Sequence, residues 1–128
     1  MMKTLTFYLA VFGIMLAVGS ASAGARTIEM LNKDDAGNKM VYSEELARVE
    51  VGETITWVPT SKGHNVEWIA GPDGAELPKK SKNSKEVSMT FEVPGIYYYL
   101  CTPHKGMGMI GLVVVGDDEE NDFVSKKK

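Results

Sequence analysis

Histidine and cysteine are scarce in this sequence, which has two histidines and one cysteine among 128 residues. The single thiol has no second cysteine to pair with inside the chain. The sequence also lacks internal repeats and long linkers, and its length is enough for one domain with a core but not for two. It has no excess of positive charge, because the formal net charge is −3 at neutral pH. This charge argues against a general nucleic-acid binder.

The first 23 residues have the pattern of a secretory signal peptide. Lys3 supplies the basic start, an apolar run covers residues 5–18, and Ala21-Ser22-Ala23 provides small residues for cleavage. The apolar run is shorter than the about 20 residues that a membrane-spanning helix needs. We therefore predict cleavage near Ala23, export as a soluble protein, and no membrane association after cleavage.

The rest of the chain predicts one all-β domain over residues 24–116, followed by a charged and disordered tail over residues 117–128. Short segments alternate apolar and polar residues and are separated by turn signals. Seven to eight such segments favour an antiparallel Greek-key β-sandwich. The longest irregular stretch, residues 70–83, holds two prolines and predicts a loop or one short helix. The predicted strands cover residues 27–31, 40–42, 46–51, 54–58, 64–68, 87–91, 96–100 and 111–115.

Both histidines, the cysteine and one methionine form a candidate metal site. His64, Cys101 and His104 offer two imidazoles and a thiolate, and Met109 offers a thioether. Three strong ligands and a weak axial sulfur are what a mononuclear electron-transfer copper site requires. Soft sulfur ligands suit Cu(I) and imidazole suits both oxidation states, whereas zinc seldom recruits methionine. We therefore predict one copper ion per chain that alternates between Cu(I) and Cu(II).

Each of these residues also has an ordinary structural explanation. A lone cysteine is most often a small buried residue, and Met107 and Met109 could both fill gaps in the core. His64 alone would more often be a surface or structural histidine than a ligand. Ligation is favoured because the Cys-x-x-His spacing and a following methionine place three candidate ligands on the short loop 101–109. Only two of these are strong donors, so the set needs a third strong donor from elsewhere, which His64 can supply.

Alternation along the strand before the cysteine predicts how its neighbours pack. Tyr97, Tyr99 and Cys101 share one face of that strand. If Cys101 faces the interior, the two tyrosines line the core beneath the metal. We assign both to packing and not to electron relay, and we give Trp57 and Trp68 the same structural role.

Several segments also carry a specific resemblance to a known family. They are Met30-Leu31-Asn32-Lys33, the stretch 51–60, Lys62-Gly63-His64-Asn65-Val66-Glu67, Cys101-Thr102-Pro103-His104 and Met107-Gly108-Met109-Ile110-Gly111. Together they resemble the pseudoazurins, which are periplasmic blue copper proteins of the cupredoxin group. The similarity covers roughly residues 27–116, so it extends well beyond the candidate loop.

The resemblance implies a cupredoxin-like sandwich in the periplasm with a type 1 copper site. It also implies that Asn65 joins the two ligand-bearing segments by hydrogen bonding, with Thr102 as its partner, although Asn65 could be an ordinary turn residue. Contacts of this kind orient ligands and tune a reduction potential. The implied ligands are His64, Cys101, His104 and, in the axial position, Met109.

The sequence differs from the pseudoazurins after the last strand. Pseudoazurins usually continue into a helical extension, whereas residues 117–128 are a run of charges. Amicyanins lack the extension too, and they place the methionine three residues after the histidine, where Met107 lies. We choose Met109 because its spacing from His104 is that of pseudoazurin and plastocyanin, and because it adjoins the last predicted strand.

Saturation of the metal by protein ligands decides the predicted function. A catalytic metal keeps an open position for substrate or water, but two histidines, one cysteine and one methionine fill a blue copper site, so we predict no enzyme activity. A site that changes little between Cu(I) and Cu(II) suits electron shuttling. Copper storage or delivery is the alternative, and a colourless protein with exchangeable Cu(I) would favour it.

The predicted partners are redox proteins that dock transiently near His104, whose imidazole lies near the surface in cupredoxins. The resemblance suggests a copper nitrite reductase as acceptor and a cytochrome as donor, with this chain acting as a monomer. We expect an apolar patch around this exit, formed by Met40, Pro103, Gly106 and Met107. A basic rim is expected as well, although such charges can be an ordinary solvated face. Its candidates are Lys33, Lys62, Lys79, Lys80, Lys82, Lys85 and Lys105.

Overall fold

Eight short strands and one 3₁₀ helix make up the regular structure of residues 24–116, which are the residues that the computed structural model describes. The predicted signal peptide (1–23) and charged tail (117–128) lie outside the described residues. The strands are β1 (Ala25–Lys33), β2 (Lys39–Tyr42), β3 (Leu46–Val49), β4 (Thr54–Val58), β5 (Glu67–Ala70), β6 (Val87–Thr90), β7 (Gly95–Leu100) and β8 (Ile110–Val115), and the 3₁₀ helix is Thr102–Met107.

The strands form two sheets of four, in the orders β2-β1-β4-β6 and β3-β8-β7-β5. The predicted all-β sandwich is therefore confirmed. The sequence predicts antiparallel pairing, whereas the observed pairing is mixed. β1 pairs with β4 in parallel, and β3 pairs with β8 in parallel. Alternation of apolar residues indicates which face of a strand is buried, but it does not specify the neighbouring strand or its direction.

The core between the two sheets is rich in aromatic rings. Trp57 on β4 is fully buried, and its ring packs edge to face against Tyr99 at 5.2 Å and against Trp68 at 5.4 Å between ring centroids. Its indole N–H also donates a hydrogen bond of 3.1 Å to the Tyr99 hydroxyl. Aromatic pairs of this kind contribute about 0.5–1.5 kcal/mol each beyond the area that they bury. The packing role predicted for these residues is confirmed.

The pairing of β5 with β7 brings distant parts of the sequence to one end of the sandwich. Glu67 pairs with Leu100, and Trp68 pairs with Tyr99, in antiparallel register. Residues that precede β5 must therefore lie beside residues that follow β7. Those two segments carry the candidate ligands His64 and Cys101.

The predicted strand over residues 64–68 is wrong at its start, because β5 begins at Glu67. His64 and the two residues after it are all buried, which strand alternation does not produce. This segment bonds to the following loop instead. The Val66 N–H donates to the Ser81 hydroxyl at 2.8 Å, and the Ser84 N–H donates to the His64 carbonyl at 2.9 Å.

The other predictions of local structure agree closely with the structure. The remaining strand ends differ from the predicted ones by two residues or fewer. The stretch predicted to be irregular, residues 70–83, begins with the last residue of β5 and is otherwise a loop that contains no helix. The described part of the chain contains no helix that is long and apolar enough to cross a bilayer.

Gly111 on β8 lies against the ring of its cross-strand partner Tyr99, so a Cβ atom at this position would overlap the ring and its hydroxyl. We expect Gly111→Ala to lower the free energy of unfolding by about 1–3 kcal/mol, because a buried ring can move only by disturbing its neighbours. Urea unfolding of the metal-free protein measures this change. Gly106→Ala is the control, since nothing lies within 4 Å of the added atom. Equal stability of the Gly111 variant and the wild type would contradict this account of the packing.

Candidate metal centre

Three of the four predicted ligands lie together at one end of the sandwich. The Cys101 sulfur is 3.7 Å from His64 Nδ1 and 3.4 Å from His104 Nδ1. The candidate ligand atoms of the three residues all lie within 4.8 Å of one another. A single metal ion with bonds of about 2.0 Å to nitrogen and about 2.3 Å to sulfur would span these separations.

The end of β7 positions the thiol. Tyr97, Tyr99 and Cys101 are all buried, as the alternation of this strand predicts. Burial raises the pKa of the Cys101 thiol, whereas hydrogen bonds from the backbone N–H groups of Asn65 and His104 act to lower it. A cation bound by the same sulfur would keep it in the thiolate form, which is the form that ligates metals.

The 3₁₀ helix after Cys101 returns the chain toward the thiol within a few residues. Pro103 lies in its first turn, and Gly108 ends it in the left-handed conformation with φ 77°. The Met109 N–H then donates to the His104 carbonyl at 3.3 Å, and the Cys101 N–H donates to the Met109 carbonyl at 3.0 Å. Both ends of the segment 101–109, which we call the ligand loop, are thereby joined.

The two methionines of the ligand loop differ sharply in exposure. Met109 is fully buried and belongs to the same core cluster as Cys101, whereas Met107 is 58% exposed. A thioether that approaches a buried sulfur and a buried imidazole must itself be buried. Met109 meets this requirement and Met107 does not.

A residue that the sequence analysis missed holds the first histidine. The side-chain oxygen of Asn32 on β1 lies 2.7 Å from His64 Nε2. An amide oxygen accepts hydrogen bonds only, so the proton is on Nε2 and the lone pair of Nδ1 faces the thiol. Burial, together with the nearby His104, lowers the pKa of His64 below its usual value and so favours the neutral imidazole. A neutral imidazole is the form that binds a metal.

The predicted link between the two ligand-bearing segments is confirmed. The Asn65 side-chain oxygen accepts a hydrogen bond of 2.8 Å from the Thr102 N–H, and its amide group donates one of 2.8 Å to the Thr102 hydroxyl. Two further residues, which the sequence analysis did not single out, complete this link. The Thr102 hydroxyl donates to the Glu67 carboxylate at 2.6 Å, and the Tyr42 hydroxyl donates to the Asn65 carbonyl at 2.6 Å.

Exposure around the site is uneven. His64 and Cys101 are fully buried, whereas His104 is partly exposed and is flanked on the ligand loop by exposed Pro103 and Met107. Of the other two predicted patch residues, Gly106 is exposed and Met40 is half-buried. A groove of about 450 Å³ runs beside the ligand loop. Its lining residues are Asn65, Lys80, Ser81, Lys82, Asn83, Thr102 and Pro103.

The donor chemistry of this cluster fits copper. Two imidazoles and one thiol converge in a largely buried space, and buried Met109, which belongs to the same core cluster as Cys101, offers a second soft sulfur. Thiolate and thioether ligands stabilise Cu(I), and imidazole binds both oxidation states. A copper ion in this cluster would be held by side chains from two separate segments, which the Asn65 and Thr102 hydrogen bonds tie together.

Comparisons with known proteins agree with this chemistry. Residues 28–116 match the plastocyanin/azurin family of copper-binding proteins. The chain is 46% identical over 101 residues to pseudoazurin from Paracoccus pantotrophus, covering 77% of this chain and 68% of that protein. It is 43% identical over 103 residues to pseudoazurin from Methylorubrum extorquens, covering 79% and 68%. The crystal structure of native pseudoazurin from Hyphomicrobium denitrificans superposes with a TM-score of 0.71 at 43% identity, covering 82% of this chain and 86% of that one.

The matched region begins within β1 and contains all the later strands and the whole candidate centre. The chain therefore belongs to the plastocyanin/azurin family of copper-binding proteins and, within it, to the pseudoazurins.

Proposed function

We propose that this chain is a blue copper electron carrier of the periplasm. Its single copper ion is bound by His64, Cys101 and His104, with Met109 as the axial ligand. The observation that carries this proposal is the convergence of three strong donor atoms within 4.8 Å of one another at a largely buried position. Copper supplies a one-electron couple between Cu(I) and Cu(II) when it is bound.

The arrangement of the protein donors supports electron transfer over catalysis. Four protein ligands fill a blue copper site, and a saturated metal has no position for a substrate. Asn32 fixes the orientation of one imidazole, and Asn65 holds the ligand loop against the segment that carries that imidazole. Donors that are fixed in this way move little when the charge of the ion changes. Storage or delivery requires release of the metal, which fully buried His64 and Cys101 oppose.

His104 is the proposed exit for the electron. It is the most exposed of the three strong donors, and Pro103 and Met107 beside it offer apolar surface for close approach. Transient redox interfaces are small, so a few apolar residues suffice. A copper nitrite reductase as acceptor and a cytochrome as donor follow from the resemblance to the pseudoazurins, and a monomer is the form that suits a diffusing carrier.

Three lysines lie beside this exit, which supports an acidic surface on the partner. Lys80 and Lys82 line the groove beside Pro103, and Lys105 follows His104 on the ligand loop. All seven lysines of the proposed rim are exposed. Opposite charges on two proteins speed their encounter, and salt weakens this effect.

The proposed location and domain limits rest on sequence pattern. Residues 1–23 are the signal peptide, residues 24–116 are the copper domain, and residues 117–128 are a charged tail. N-terminal sequencing of the exported protein should give a residue close to Gly24. A mature protein that begins at Met1 would contradict the proposed cleavage and export.

Visible spectroscopy of the copper-loaded protein tests the proposed function. We expect an intense absorption band in the oxidised protein, because a thiolate transfers charge readily to Cu(II). The band should disappear on reduction and return on reoxidation without loss of copper. A colourless protein whose Cu(I) exchanges rapidly with a chelator would contradict the carrier proposal and would favour storage or delivery.

The two methionines provide a matched test of the axial ligand. Met109→Leu keeps the volume of the side chain but removes the thioether, so we expect a changed visible spectrum and a shifted midpoint potential, since the axial ligand tunes the potential of a blue copper site. Met107→Leu is the control and should leave both properties unchanged, because Met107 is mostly exposed. A strong effect of Met107→Leu with none of Met109→Leu would reverse the assignment.

The charge of the proposed rim is tested by electron transfer to an acidic redox protein. Substituting Lys80 and Lys82 together by glutamine should lower the second-order rate constant about threefold to tenfold at low ionic strength, and the difference should vanish at high salt. Arg26→Gln is the control. It removes a positive charge near the start of β1, whereas Asn32, which contacts His64, lies near the end of that strand, so this variant should have little effect on the rate. A wild-type rate that does not depend on ionic strength would argue against a basic docking rim.

A further inference from the structure

The carboxylate of Glu67 is the end of a chain of hydrogen bonds that reaches the Cys101 sulfur. Glu67 is half-buried at the first position of β5, and it accepts a hydrogen bond of 2.6 Å from the Thr102 hydroxyl. A carboxylate can only accept, and a threonine hydroxyl has one proton to donate. The proton of Thr102 is therefore directed to Glu67, which leaves the lone pairs of its oxygen facing Asn65.

The direction of this first hydrogen bond decides the direction of the next ones. The Asn65 amide group donates to the Thr102 oxygen at 2.8 Å, so the Asn65 side-chain oxygen is left to accept from the Thr102 N–H, also at 2.8 Å. The backbone N–H of Asn65 in turn hydrogen-bonds the Cys101 sulfur. The four residues therefore form one hydrogen-bonded chain from the Glu67 carboxylate to the sulfur.

The geometry also places a negative charge beside the two residues that flank Cys101. Glu67 pairs with Leu100, the residue that precedes Cys101, and it contacts Thr102, the residue that follows Cys101. A hydrogen bond of 2.6 Å to a carboxylate is short and strong. A fixed negative charge near a copper ion stabilises Cu(II) over Cu(I), because the extra positive charge of Cu(II) is attracted more strongly.

We propose that Glu67 is a positioning residue of the electron-transfer site, which orients the Thr102 and Asn65 link to the thiolate and lowers the reduction potential through its charge. The proposal rests on the proposed function, because it requires copper at this centre. Among the residues that the structure describes, Glu67 makes no hydrogen bond to the ligands His64 and His104, and it acts through Thr102 and Asn65.

Glu67→Gln tests the charge, because an amide oxygen can still accept the hydrogen bond from Thr102. We expect the equilibrium constant for reduction by a mediator of fixed potential to rise at least about threefold, which for a one-electron couple is about 28 mV. The visible spectrum should stay close to that of the wild type. Glu92→Gln is the matched control, since it removes the same charge just before β7, at the opposite end of that strand from Cys101.

Thr102 tests whether the effect passes through the hydrogen bonds. Thr102→Val removes the hydroxyl at nearly constant volume, and Thr102→Ser keeps it. We expect the potential shift caused by Glu67→Gln to fall by at least about half in the valine background and to persist in the serine background, because contacting residues are not additive. The serine background keeps the test valid where the valine variant binds copper poorly.

The outcomes separate this proposal from the proposed function. A wild-type protein that lacks the reversible visible band would overturn the function itself. A coloured wild type with equal potentials for Glu67→Gln, Glu92→Gln and the unsubstituted protein would overturn only the role of Glu67. An equal Glu67→Gln shift in the valine and serine backgrounds would overturn the positioning role and leave a charge that acts through space alone.

Discussion

Burial of the Cys101 sulfur between two chain segments is the constraint on which the site depends. Burial opposes ionisation of the thiol, yet metal binding requires the thiolate. The protein reduces this conflict with two backbone N–H groups on the sulfur, and a bound cation removes the rest of it. These donors stay in place because Asn65 and Thr102 hold the segments together. The hydrogen bonds around the centre therefore serve the chemistry of the sulfur as well as the shape of the loop.

The ligand chemistry could be inferred from the sequence because it depends on residue types and on short spacings. The Cys-x-x-His spacing indicated the loop, and alternation along β7 correctly placed Tyr97, Tyr99 and Cys101 on the buried face. The link from Asn65 to Thr102 was expected from the resemblance to a known family. Each of these features is either local in the sequence or carried by a recognisable segment.

The contacts of Asn32 and Glu67 could not be inferred in the same way. Asn32 meets a histidine 32 residues away, and Glu67 meets a threonine 35 residues away. Both contacts depend on which strands are neighbours and on whether they run in parallel, and alternation specifies neither. The start of β5 was misplaced for a related reason, since residues 64–66 are buried by the loop that follows β5 and not by strand pairing.

The ligand loop is closed on itself by the hydrogen bond from the Cys101 N–H to the Met109 carbonyl. One continuous stretch of nine residues thus carries the thiol, the exposed imidazole, the apolar contact surface and the buried thioether. Substitution of an exposed side chain in this stretch, such as Met107, changes its surface without removing a donor, whereas an insertion or deletion would move the partly exposed imidazole and the buried donors together. During divergence of the family, a change in the length of this stretch would therefore alter the docking surface and the redox behaviour at once.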